Sequence, residues 1–90
     1  MAHDSTSLQA QSPLAQAQDS ADKARRAVDQ ALSYSSRRMI EQADNALDKA
    51  WRAAAQAEGS ETWQAVEETK ERLQTAEMDL DRARADKMKE

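Results

Sequence analysis

The sequence predicts an all-α protein: an antiparallel bundle of two or three long helices with alanine-rich, coiled-coil-like packing. Three observations carry that prediction. The 90 residues include one Gly, one Pro and no Phe, so turn formers and sheet formers are both scarce. Beyond Pro13 the chain is dominated by Ala, Gln, Lys, Arg, Glu and Leu, which are strong helix formers. Its apolar positions recur at helical spacing and do not alternate.

Residues 1–12 mix Ser, Thr, Gln and Asp with a single Leu and read as a disordered tail. The helical domain is expected over 13–89. Ser12-Pro13 starts the first helix: Ser12 can cap it, and Pro13 at the first helical position loses nothing by lacking an N–H. From there Ala17, Ala21, Ala24, Val28 and Leu32 form one stripe. Met39, Ala43, Ala46, Ala50, Ala54 and Ala57 continue it, widened by Ile40, Leu47 and Trp51. Glu58-Gly59-Ser60 closes this run. Gly59 suits the left-handed position after a helix, and Ser60 can cap the next one. Val66, Leu73 and Leu80 then repeat every seven residues, with Thr69, Ala76 and Ala83 between them. That pattern is a heptad seam with small residues at alternate layers.

Ser33-Tyr34-Ser35-Ser36 decides the architecture. Three serines lower helix propensity there without a Gly or Pro. A break gives three helices near 13–33, 36–58 and 60–88. Continuity gives a two-helix hairpin, and the helical phase carries across the serines. Length argues for the break: at about 1.5 Å per residue, 13–58 would span roughly 69 Å against roughly 42 Å for 61–88. A hairpin would leave much of its first helix uncovered, so the three-helix bundle is preferred. Charge supports the pairing of elements, since residues 21–58 carry seven basic and six acidic side chains and residues 59–90 carry six and nine. Asp19–Lys23, Asp22–Arg26, Asp48–Arg52 and Glu68–Arg72 stand at i,i+4 with the acid first, the better orientation within a helix.

The core is expected to be thin. Of the apolar residues 19 are Ala, and only 16 are larger. A large side chain contributes roughly 1.5–3 kcal/mol when fully buried, and Ala far less. Close helix contacts or a partner must make up the difference, so a homodimer or another protein partner is expected.

The same composition excludes several classes of function. No Cys is present, which removes disulfides, thiolate metal sites and a Cys nucleophile. One Gly leaves no phosphate-cradling loop. His3 is the single histidine and stands in the tail, where a general base could not be held in place. Glu67, Glu68 and Glu71, and Glu77, Asp79 and Asp81, lack the Glu-x-x-His pattern of di-metal bundles and read as solvated faces. Met39, Met78 and Met88 read as core or edge filler. No catalytic, metal or cofactor site is therefore expected, and no enzyme. Ser33, Ser35 and Ser36 precede Arg37-Arg38, so a phosphate there would meet arginine, although only composition supports it. No apolar run reaches membrane-spanning length. The alanine stripe offers little area to a lipid surface. The polar start lacks an apolar secretory segment, which points to the cytoplasm, though a leaderless export route would leave no mark.

In size and helix-turn-helix plan the chain resembles the small secreted proteins with a Trp-x-Gly turn. That signature is missing: Trp51 lies eight residues before Gly59 and Trp63 four after it. The alanine heptads resemble those of bacterial outer-membrane lipoproteins, whose lipidated Cys is absent here. Neither resemblance assigns a family.

The expected function is non-catalytic: a small helical interaction or assembly protein, with an adaptor or chaperone role as the alternative. The candidate binding residues are the partly apolar face of Met39, Ile40 and Leu47, and a tip formed by Trp51 and Trp63. A second class, weak binding of nucleic acid or phosphate, would use Arg25, Arg26, Arg37 and Arg38. The acidic balance of the chain (net charge -4) and the lack of stacking aromatics beside these arginines place it well behind.

Overall fold

The computed structural model describes residues 12–59 and 63–89. They form three helices: α1 (Pro13–Ser33), α2 (Arg37–Ala57) and α3 (Trp63–Lys89). No strand occurs among the described residues. The protein is thus an all-α three-helix bundle, and the long-hairpin alternative is corrected. Residues 1–11, with His3, and residues 60–62, with the proposed Ser60 cap, lie outside the described residues.

Each boundary has a local cause. Ser12 is extended, and its Oγ accepts the Ala15 N–H at 3.0 Å, with Pro13 opening the helix. At the other end of α1 the serines act as breakers. The Ser35 hydroxyl donates to the Ala31 carbonyl at 2.9 Å, occupying a group near the end of the helix. Ser36 is extended, with φ -95 and ψ 159, and its Oγ accepts the Met39 N–H at 3.1 Å to start α2. These short side chains compete for backbone groups that a continuous helix would use. That competition outweighs the unbroken apolar phase. After α2, Gly59 adopts φ +82, the left-handed conformation that glycine enters without a Cβ penalty.

α1 and α2 are the most closely paired helices, and α3 lies against both. The buried apolar positions are Ala17, Ala21, Ala24, Val28 and Ala31 on α1; Ile40, Ala43, Leu47, Ala50, Ala54 and Ala57 on α2; and Val66, Leu73, Ala76, Leu80 and Ala83 on α3. Ten of these sixteen are alanine, so close approach of the helices replaces bulk in filling the core. Thr69 is the one buried polar residue among those described, and its hydroxyl is satisfied by the Ala65 carbonyl at 2.9 Å.

α1 and α3 run parallel with a constant offset. Ala17, Ala21, Ala24, Val28 and Ala31 each recur 52 residues later as Thr69, Leu73, Ala76, Leu80 and Ala83. The two α1–α3 ion pairs are separated by 54 and 50 residues in sequence, which brackets that offset. Small residues on α1 thus stand level with the larger ones on α3 at two of the three levels where α3 places Leu or Thr (Ala21 with Leu73, Ala17 with Thr69), and Val28 shares its level with Leu80 near the far end.

Candidate functional site

The structure redistributes the candidate residues. Ile40 and Leu47 face the core, with 9% and 3% of their surface exposed. Met39 is half-buried and packs against the same core. The face proposed for partner binding is therefore interior, which is a correction. Its cause is plain in retrospect: Ile40 and Leu47, seven apart on one helical face in a chain with few large apolar residues, are taken by the bundle itself.

The two tryptophans also separate. Trp51 packs half-buried against the core, and its indole Nε1–H donates to Glu77 Oε2 on α3 at 2.7 Å. Glu77 lies fourteen residues beyond Trp63, or about 21 Å along α3, so the two rings do not build one tip. Trp63, at the first turn of α3, has 72% of its surface exposed. Tyr34 and Met78 are the other exposed large hydrophobics among the described residues, at 70% and 67%. Of the core-or-edge reading of Met78, this exposure excludes the core position. The side chain of Met88 lies outside the described residues.

The arginines divide as well. Arg25 is committed within the fold: it pairs with Asp29 at 2.6 Å and reaches Asp79 on α3 at 2.9 Å. Hydrogen bonding to Asp29 raises its pKa above the ordinary arginine value; partial burial opposes the rise, and Asp79 adds to it. Arg25 therefore does not belong to a free basic patch. Arg26, Arg37 and Arg38 are exposed, and no ion pair involves them among the described residues. Arg37 and Arg38 occupy the first turn of α2, which carries no acidic residue. The positive end of the helix dipole thus meets two positive side chains.

Of the four expected i,i+4 pairs, Asp19–Lys23 and Asp48–Arg52 form. The other two are exchanged: Asp22 and Arg72 pair with each other across α1 and α3. Sequence spacing alone could not show this, because the interhelical partner competes on equal terms with the intrahelical one. A further interhelical tie joins Arg84 to Asp44 at 3.1 Å, and Lys70 pairs with Glu58, the residue that caps the end of α2. Every ion pair between different helices among the described residues has one member on α3.

The cavities are shallow surface grooves. One of about 270 Å³ lies between α1 and α2 and is lined by Ser20, Lys23, Gln42, Asn45, Ala46 and Lys49. Another, of about 240 Å³, lies between α2 and α3 over Leu47 and Leu80, with Asp44, Glu77, Asp81 and Arg84 at its rim. Its charged rim is already joined by the Arg84 pairs to Asp44 and Asp81. Among the described residues no group of three or more His, Cys, Asp or Glu side chains is placed to hold a metal ion. No helix among them is long and apolar enough to cross a membrane. Comparison with family models, with curated proteins and with solved structures finds no match for this chain.

Proposed function

We propose that this chain is a non-enzymatic helical interaction protein, acting in the cytoplasm, that binds a protein partner or a second copy of itself through the end of the bundle carrying Trp63. The observation that supports this reading is the 72% exposure of Trp63 in a chain where large apolar residues are scarce and the core is mostly alanine. An indole left in water adds nothing to that core. Tryptophan is among the residues most enriched where binding energy concentrates. An adaptor or chaperone role is the form this takes if the partner is another protein. Contact with phosphate or nucleic acid through Arg26, Arg37 and Arg38 is a second reading, favoured by their exposure and by the lack of an ion pair on any of the three among the described residues.

Capture from native cell extract on the wild-type chain beside Trp63→Ala, titration with the recovered protein, and sedimentation of the chain alone test the proposal together. A partner weakened tenfold or more by Trp63→Ala, or self-association lost in that variant, supports it. Equal binding by both chains, or a strict monomer that retains no partner, contradicts it. A gel shift at low salt that Arg37→Gln/Arg38→Gln abolishes would favour the second reading instead.

A further inference from the structure

The α1–α2 pair has a face turned away from α3, and its charge is one-sided. On α1, Asp22 and Arg25 reach α3; on α2, Asp44 and Trp51 do. The opposite flanks of the two helices line the groove of about 270 Å³, with Ser20 and Lys23 from α1 and Gln42, Asn45, Ala46 and Lys49 from α2. That lining holds two ammonium groups and no carboxylate. Lys23 meets Asp19 alone, four residues back on its own helix at 3.3 Å. Lys49 joins no ion pair among the described residues. Toward the turn between α1 and α2 the same face opens into a second groove, of about 340 Å³, lined by Asp29, Gln30, Ser33, Tyr34 and Met39. Its acid, Asp29, is already engaged by Arg25, and its apolar surface comes from the exposed Tyr34 and the half-buried Met39.

The outer face of α3 is the complement. Glu67, Glu68 and Glu71 are all exposed there, and Glu68 and Glu71 join no ion pair among the described residues. Met78 stands seven residues beyond Glu71 on the same face and is exposed as well. Seven residues are two turns, or about 10 Å. The α1–α2 face has the same spacing, since Gln30 in the second groove stands seven residues beyond Lys23 in the first. A helix laid along this face in the direction of α1, with its Glu71 at Lys23, brings its Met78 to Tyr34 and Met39. Laid in the opposite direction, it carries Met78 to the level of Gln16, away from the Tyr34–Met39 groove.

We propose that the α1–α2 face is the docking site for α3 of a second copy, running parallel to α1, so that the protein assembles head to tail. Lys23 and Lys49 receive Glu68 and Glu71, and Tyr34 and Met39 receive Met78. The groove and the helix that fills it lie on opposite sides of the bundle. Two copies therefore cannot satisfy each other reciprocally, and further copies add in series. This surface is separate from Trp63, which shares the flank of α3 that carries Lys70 and Glu77 toward α2. The inference goes beyond the Trp63 reading and does not rest on it.

Sedimentation velocity of the full chain over a wide concentration range tests this, with circular dichroism to confirm folding. The wild-type sedimentation coefficient is expected to rise with concentration past the value of a dimer, and to fall as salt screens the lysine–glutamate contacts. Lys23→Glu/Lys49→Glu and, separately, Glu68→Lys/Glu71→Lys should each weaken assembly tenfold or more. Combining all four substitutions leaves the net charge unchanged and should restore assembly, which loss of structure would not do. A wild-type chain that stays monomeric, or that stops at a dimer, overturns the inference. So does a folded double variant that assembles like the wild type, or a quadruple variant that does not assemble. Where a double variant loses its helices, Met78→Asp takes its place: a tenfold loss of assembly supports the inference, and wild-type assembly overturns it. Assembly lost in Trp63→Ala and kept in the charge variants supports the Trp63 end and overturns this site.

Discussion

At the scale of single residues, the fold rests on a few positions whose roles differ in kind. Leu73 and Leu80 are among the largest fully buried side chains, set among alanines, with little bulk nearby to collapse into a void. Leu73→Ala is expected to cost about 3 kcal/mol, read by urea unfolding followed by circular dichroism. Met78→Ala, at an exposed site, should stay within about 0.5 kcal/mol of the wild type. Ser36 does its work through one bond to the Met39 N–H; Ser36→Ala should cost about 1 kcal/mol in the same assay. The sequence made the buried leucines and the Ser12 cap readable, because a periodic stripe and a Ser-Pro pair each have a single local meaning. It did not make Ile40 and Leu47 readable as interior against a partner-binding role. Both uses ask for the same spacing, and only the completed bundle shows which surface is covered.

At the scale of helices, the ends are as informative as the faces. α2 opens with Arg37 and Arg38 and no acid in its first turn, against the preference of the dipole. Arg37→Glu should therefore stabilise the protein by about 0.5 kcal/mol at low ionic strength, with the gain shrinking as salt is added; a thermal melt at two salt concentrations measures it. A chain selected for stability alone would have no reason to keep two cations there, which is why these arginines retain weight as a contact surface. The end of α2 was legible from Gly59, whose φ of +82 is the conformation its position implied. The break between α1 and α2 was only partly legible. Helical phase and serine chemistry pointed in opposite directions, and the hydroxyl bonds of Ser35 and Ser36 decided between them.

For the whole molecule, arrangement follows from economy of apolar area. Ten alanines line the core with six larger residues, and the three helices cover one another where a long hairpin could not. Ion pairs add little to this, since exposed pairs contribute about 0–1 kcal/mol each. Which side chains meet across helices was illegible in the sequence, as the exchange of Asp22 and Arg72 shows. Trp51 and Trp63 are similar on paper, yet one is tied to Glu77 and the other is left in water. The functional account rests on that difference. The most direct measurement is iodide quenching of Trp63 fluorescence in the Trp51→Phe protein at micromolar concentration. The account predicts solvent-like emission quenched almost as efficiently as free tryptophan amide, shifting to the blue and becoming protected when a partner or second copy is bound. Blue-shifted, protected emission from the isolated chain at every dilution would place Trp63 in the core and contradict it.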